Sequence, residues 1–391
     1  MTDKFKDETK LTHDDRLDKY GAVVPPIYQN SLFTFDSWES IDNAFDNKAE
    51  AFIYSRLLNP TVQIVEKKLA ALCRGEKAKL CASGIAAVSS AILNCVNAGD
   101  HIVTVNNIYG PTNNLINKYL KNKFNIESTF VDGSRLENFA EAIKENTKLI
   151  YLESPASITF ELQDLKAIAK LAKENNILTI IDNTWASPIF QKPLTMGIDI
   201  EVHSVSKYIC GHSDVIAGAI ISSKKIMDQI ILAEHELLGA KMAPFEAWLI
   251  LRSLRTLPIR MRAHMDNTMK ICAYLQSHSK VKKLNYPGLA DSPQYNLGKE
   301  QMTGYSGLLS FELETQNIEE IKEFVNSLKI FKLGVSWGGH DSLVYAPVIS
   351  YLKELDPDKF EAMGIKPGLI RLSIGLEHAD DLIADLQRAL N

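Results

Sequence analysis

Residues 177–208 read ILTIIDNTWASPIFQKPLTMGIDIEVHSVSKY. Two runs within this stretch, ILTII and DIEVHS, are short, apolar and rich in β-branched residues, the pattern of strands buried on both faces of a sheet. The first run ends on Asp182, and the second leads into Lys207. Open α/β sheets bind ligands in the crevice at the carboxyl ends of their strands. An acid and an amine at two successive strand ends therefore predict both a fold class and the place to look for chemistry.

The same alternation extends outward from about residue 60. NPTVQIVEKKLAALCRG reads as an amphipathic helix with Val62, Val65, Leu69 and Leu72 on one side, ended shortly after by Gly75. AKLCASG is a strand running into a glycine turn, and IAAVSSAILNCVNAGD is a helix. HIVTVN, IESTFVD and KLIYLESP read as strands, with helices near 111–122, 136–145 and 163–175, and AGAIISS closes the series. This predicts an α/β fold, a doubly wound and mostly parallel sheet covered on both faces. Glu153, like Asp182 and Lys207, falls at a strand end. Residues 1–58 are different: YGAVVPPIYQNSLFTFDSWESI is Pro- and aromatic-rich, and reads as an extended arm that needs another surface to bury its apolar residues. From about 246 the pattern gives a long helix bent near Pro258. It is followed by a strand at GLLSFEL, a helix near 317–328 and a closing strand LIRLSIGLE. The expected division is an arm over 1–58, a large domain over 59–245 and a smaller C-terminal α+β domain over 246–391.

Composition narrows the function classes. The 391 residues are 46% hydrophobic and 23% charged, as in a soluble globular protein. A net charge of −5 gives no reason to expect nucleic acid or an anionic membrane as partner. The opening MTDKFKDETKLTHDDRLDKYG lacks the apolar core of a secretion signal, and no apolar run approaches the roughly 20 residues of a membrane span. Five cysteines without a C-x-x-C pair predict neither a disulfide framework nor a zinc site, and point to a reducing cytoplasm. G-x-G-x-x-G and the P-loop pattern are both missing.

Lys207 lies in HSVSKYICGHSD, residues 203–214. His203 and His212 are nine apart without a third ligand nearby, so no metal is expected. A partly desolvated lysine is a nucleophile that condenses with an aldehyde, and pyridoxal phosphate is the common biological one. That cofactor needs a phosphate cradle, an acid beside its pyridine nitrogen and a group to hold its ring flat. Ser83-Gly84-Ile85 stands at a strand-to-helix turn, where backbone N–H groups suit a phosphate, and Ser204 and Ser206 offer hydroxyls. Asp182 can keep the pyridine nitrogen protonated, and Tyr109 in NNIYGPT can lie over the ring. Arg371 interrupts an apolar strand, and its fork fits an amino-acid carboxylate. Each feature also has an ordinary reading: Ser-Gly before a helix is a cap, an Asp after a strand is a cap, and a lysine is a surface charge. The residues alone point to a lysine-centred α/β enzyme and leave its reaction open.

Taken together, YSRLLNPT, ASGIAA, IYGPT, ESPASITFELQDL, IIDNTWASP, HSVSKYICGHSD and LIRLSIGLE resemble the Cys/Met-metabolism (transsulfuration) family of pyridoxal-phosphate enzymes. The likeness runs in order from about Tyr20 to the C-terminus. It implies an aminotransferase-like fold of type I and a homotetramer made of two dimers with shared active sites. It also implies Lys207 as the cofactor-bearing lysine, Tyr109 as the stacking ring and Asp182 as the pyridine partner. Gly84, Ile85, Ser204 and Ser206 match phosphate positions, and Tyr54 and Arg56 match phosphate contacts made across the dimer interface. Ser336 and Arg371 match the substrate-carboxylate site.

Departures within the family decide the expected reaction. Ser157 stands where many members carry Asn, Pro111 follows the stacking tyrosine and its glycine, and Trp337 follows Ser336. All three resemble bacterial cystathionine β-lyases. The expectation is a carbon–sulfur lyase acting by β-elimination on cystathionine or cysteine to give pyruvate, ammonia and a thiol. The alternative is a γ-acting relative: methionine or homocysteine γ-lyase, cystathionine γ-lyase or synthase, or homoserine-ester sulfhydrylase. Val335, at a position often Glu in cystathionine γ-enzymes, removes one partner for a distal ammonium and also suits smaller substrates. A non-catalytic regulator would be expected to lack Lys207, Asp182 or Arg371, and all three are present. His340 and the segment 346–364 match no subgroup.

Overall fold

The computed structural model describes residues 5–13, 20–354 and 365–391. The apolar runs form one seven-stranded sheet: β1 (Lys77–Cys81), β2 (His101–Val105), β3 (Glu127–Val131), β4 (Thr147–Glu153), β5 (Leu178–Asp182), β6 (Ile200–Ser204) and β7 (Gly218–Ser222). Their spatial order is β1-β7-β6-β5-β4-β2-β3. β7 runs antiparallel to both neighbours, and the other adjacent pairs are parallel. Helices on both faces bury these strands, so they carry continuous apolar residues rather than an alternation.

Sequence order and spatial order differ where it matters. β1 lies at one edge and β2 near the other, so the connecting helix Gly84–Cys95 crosses the sheet and packs over β6 and β7. Its N-terminus is thereby set against the end of β6. The helix Pro60–Cys73 starts on an Asn59 cap and a first-turn proline, and buries Val62, Val65, Leu69 and Leu72. It closes on Arg74, at φ 65°, one residue before the expected Gly75.

The predicted long helix is two helices, Pro244–Leu254 and Leu257–Gln276. The break precedes Pro258, which sits in the first turn of the second helix, where its missing N–H leaves no bond unmade. A second sheet follows: β8 (Val281–Asn285), β9 (Leu308–Leu313), β10 (Lys332–Leu333), β11 (Leu343–Tyr345) and β12 (Leu369–Ser373), in the order β10-β11-β12-β9-β8. Leu257–Gln276, Ile318–Ser327 and Ala379–Leu390 bury Ile271, Phe324 and Leu386 against it.

Arm residues Tyr20, Val23 and Trp38 are 83%, 90% and 80% exposed, so the arm leaves its apolar side chains unburied within this chain. It is tied down by Tyr28 N–H donating to Thr61 Oγ1 at 2.9 Å and by Trp248 Nε1 donating to the Pro25 carbonyl at 3.2 Å. The segment after β11 begins as a helix, Val348–Glu354; residues 355–364 lie outside the described residues. All five cysteines are buried and unpaired. Among the described residues no helix is long and apolar enough to cross a membrane.

Candidate active site

Lys207 sits in a tight turn just beyond β6. The turn is closed by the Lys207 N–H donating to the Ser204 carbonyl at 3.1 Å and the Gly211 N–H donating to the Lys207 carbonyl at 2.7 Å. Arg260, on the helix Leu257–Gln276, braces it from below, donating to the carbonyls of Tyr208 at 2.7 Å and Ser253 at 3.1 Å. Gly211 has φ 69°, and a Cβ there would stand 1.9 Å from Arg260 Nη1. The backbone on both sides of the lysine is thus fixed before any ligand arrives. Lys207 Nζ donates to Ser336 Oγ at 2.7 Å and lies 5.3 Å from the centre of the Trp337 ring. Burial, reinforced by the positive Arg371 and opposed by Asp182, pushes the amine down to about 8.

Asp182 ends β5, and Glu153 ends β4 directly opposite it in the parallel register. Asp182 Oδ1 accepts from the Thr184 N–H at 3.0 Å and from the Thr184 hydroxyl, whose oxygen accepts in turn from the Ser204 N–H at 2.8 Å. Thr184 therefore stitches the ends of β5 and β6 together. Asp182 Oδ2 has no hydrogen-bond partner among the described residues. Burial raises the Asp182 carboxyl, against its hydrogen bonds from Thr184 and the charges of His203 and Lys207. Glu153 is pushed up to about 8, first by burial and then by Asp182. It accepts from Ser157 Oγ at 2.5 Å and from the Tyr109 N–H at 2.7 Å, which anchors the loop that carries Tyr109. Burial and the closeness of the two acids thus oppose full ionisation of the pair. The Tyr109 ring is 48% exposed, and burial together with both acids raises its hydroxyl.

The predicted phosphate residues divide into two kinds. Ser83 Oγ caps the helix by accepting from the Ala86 N–H at 3.1 Å, so its hydroxyl is engaged as a cap. Ser206 Oγ is bound to the Ala217 N–H at 2.9 Å and to the Ala217 carbonyl. The Gly84 and Ile85 N–H groups have no acceptor among the described residues. Gly84 packs closely on Ser204: a Cβ there would lie 2.9 Å from both Cβ and Oγ of that serine. Two such N–H groups at a helix N-terminus, beside a serine hydroxyl, make a cradle suited to an anion.

Arg371, on β12, is half-buried rather than enclosed. Its Nη2 donates to the Val335 carbonyl at 2.8 Å, and its guanidinium lies 4.9 Å from the Tyr345 ring centre. Ser336 is exposed between Lys207 and this arginine, and Trp337 packs on Tyr208 with ring centres 5.6 Å apart. Ser157 binds Glu153. Tyr54 and Arg56 are not hydrogen-bonded to these groups: Arg56 stacks on Tyr54 at 5.4 Å and lies 3.5 Å from Glu236 Oε1.

Sequence reading missed Thr184, Arg260 and Tyr345. An aspartate followed two residues later by threonine is a local turn signal that would have flagged the first. It also weighed His203 against His212 alone, whereas the fold brings His203 Nε2 to 2.7 Å from Glu201 Oε1 and 3.9 Å from Cys73 Sγ, all buried.

An amine lowered to about 8, an acid with one oxygen lacking a hydrogen-bond partner among the described residues and a Cβ-free anion cradle fit pyridoxal phosphate. Residues 8–391 match the family model for Cys/Met metabolism PLP-dependent enzymes. The chain belongs to this family. It is 43% identical over 373 residues, 95% of this chain and 94% of the other, to an L-methionine gamma-lyase of Fusobacterium nucleatum subsp. polymorphum. It is 38% identical over 370 residues, 95% of this chain and 94% of the other, to a cystathionine beta-lyase of Lactococcus lactis subsp. cremoris. A solved structure from Campylobacter jejuni, described as an O-acetylhomoserine (thiol)-lyase with N'-pyridoxyl-lysine-5'-monophosphate, superposes with a TM-score of 0.93. The two are 34% identical, and the match covers 99% of this chain and 100% of that one. The chain is thus a pyridoxal phosphate-dependent carbon–sulfur lyase of fold type I. The relatives favour the γ-acting alternative over the expected β-lyase.

Proposed function

We propose that the chain is a γ-lyase for a small sulfur amino acid such as methionine or homocysteine, giving 2-oxobutyrate, ammonia and a thiol. Its likeness to methionine gamma-lyases is joined by one observation at the site. Val335, whose carbonyl holds Arg371, is 78% exposed and apolar. A substrate tail reaching this rim meets a hydrocarbon surface rather than a charge, which suits a thioether better than the distal ammonium of cystathionine.

Bound pyridoxal phosphate supplies an aldehyde for the amine and a ring that takes up the electrons released at the substrate's α-carbon. The protein groups do the rest. Gly84, Ile85 and Ser204 would hold the phosphate, with Ser83 and Ser206 shaping the loop around it, and Asp182 would keep a proton on the pyridine nitrogen. Tyr109 would cover the ring, and Arg371 with Ser336 would fix the carboxylate. Lys207, its amine lowered to about 8, would accept the α-proton, pass it to the cofactor so that the amine is neutral again, and then accept a β-proton, as γ-elimination requires. Tyr109 or Lys207 returns a proton to the departing sulfur. The exposed arm with Tyr54 and Arg56 supports assembly into a homodimer that shares its sites and pairs into a tetramer in the cytoplasm.

A second reading, β-elimination from cystathionine or cysteine, is favoured by Trp337 against Lys207 and by Ser157 and Pro111. The discriminating experiment gives the purified, cofactor-loaded protein L-methionine and cystathionine separately and identifies the 2-oxo acid. 2-Oxobutyrate with methanethiol from methionine is expected. Pyruvate from cystathionine with no turnover of methionine would overturn the γ reading and restore the β one.

A further inference from the structure

The side chain beneath Arg371 has no role in the scheme above. β11 is only three residues long and pairs antiparallel with β12, so Tyr345 stands directly across from Arg371. The guanidinium lies 4.9 Å from the centre of the Tyr345 ring, within the range of a cation–π contact. The Tyr345 hydroxyl is hydrogen-bonded to the hydroxyl of Ser350, in the helix Val348–Glu354. On its edge, Arg371 Nη2 donates to the Val335 carbonyl at 2.8 Å and to the Ser336 carbonyl at 3.4 Å. The guanidinium is thus contacted on one edge and on one face.

We propose that Tyr345 is a positioning residue for the substrate carboxylate. With Ser350 it sets the plane in which Arg371 presents its fork. The inference rests on the reading of Arg371 as the carboxylate anchor. A carboxylate is recognised by two parallel N–H groups only when the guanidinium plane is fixed. The hydrogen bonds to Val335 and Ser336 both leave from one atom, Nη2, and so hold a corner of the fork rather than its plane. The ring face sets that plane, and the Ser350 hydrogen bond keeps the ring from tilting away. The helix Val348–Glu354, which fits no subgroup of the family by sequence, thereby acquires a link to substrate binding although the link runs through two side chains.

The test uses the cofactor-loaded enzyme and L-alanine, which has no leaving group and so binds at equilibrium whichever elimination the enzyme performs. Its dissociation constant is read from cofactor absorbance and compared with that of L-alaninamide, which lacks the carboxylate. Tyr345→Leu should weaken alanine binding about tenfold and leave alaninamide unchanged, the size expected for a lost cation–π contact at a partly desolvated site. Tyr345→Phe, which keeps the face and loses the Ser350 link, should weaken alanine by a smaller factor and also serves if the leucine variant does not fold. Cofactor affinity should be unaltered in both. Equal weakening of both ligands would reduce Tyr345 to a structural residue, and no change in either would remove the role. The anchor is checked separately with Arg371→Gln. If that variant keeps the preference for alanine over alaninamide, the anchor reading fails. If it loses the preference while both Tyr345 variants keep it at full strength, the positioning proposal alone is overturned.

Discussion

The depressed basicity of Lys207 has a direct kinetic consequence. An ordinary lysine near 10.5 has about one amine in 3,000 neutral at pH 7, whereas one near 8 has about one in 11, close to a 300-fold difference. The gap of about 2.5 units corresponds to about 3.4 kcal/mol between the two protonation states, mostly from burial. Only the neutral amine attacks an aldehyde, so capture of pyridoxal phosphate by the cofactor-free protein should follow that fraction. The sign is fixed: capture rises with pH while the amine is mostly charged, about tenfold per unit below pH 7, and levels off above about 8 to 9. The assay is stopped-flow absorbance from pH 6 to 10.5, with each rate divided by that of Nα-acetyl-lysine amide under the same conditions to remove the cofactor's own titration. The ratio should be largest and nearly flat from pH 6 to 7, and fall steeply toward pH 10. A ratio that stays constant across the range would refute the reasoning, because it would mean that neither burial nor Arg371 perturbs the amine. Lys207→Ala supplies the blank, and its signal should show no covalent capture.

Two further substitutions test the scaffold around this amine. Gly84→Ala would place a methyl group 2.9 Å from Ser204, in the anion cradle, and should weaken cofactor affinity by roughly tenfold, about 1.4 kcal/mol, in an equilibrium titration. An unchanged affinity would mean that the phosphate does not use this turn. Gly211→Ala combines a left-handed backbone with a Cβ 1.9 Å from Arg260, so urea unfolding should show a loss of about 2–3 kcal/mol. A loss below about 0.5 kcal/mol would show that the Lys207 turn is not braced by Arg260.

The strands of the large sheet were legible because burial on both faces writes them as unbroken apolar runs, as in Leu178–Asp182 and Gly218–Ser222. β8 escaped because VKKLN is a half-exposed strand with two lysines, and β10 and β11 because two or three residues cannot display a period. Lys207, Asp182 and Gly84 could be placed together from sequence because each stands at an element end, and ends converge in this fold. Arg260 and Tyr345 could not, since one acts through a helix packed under the turn and the other through strand pairing with a distant segment, whereas Thr184 left a local turn signal that went unread. Pro258 misled because a proline can either bend a helix or begin one, and here it stands in the first turn of a new helix that starts at Leu257. The reaction was harder to read than the site. The proposed β- and γ-eliminations would use the same lysine, acid and arginine, so those residues do not separate them.

The hydrogen bond from Lys207 to Ser336 joins the end of β6, in the large sheet, to the loop between β10 and β11, in the small one. The proposed nucleophile is thus also a tether between the two sheets. Its amine is positioned by both of them at once, so a change in the seating of either would be felt at the same atom.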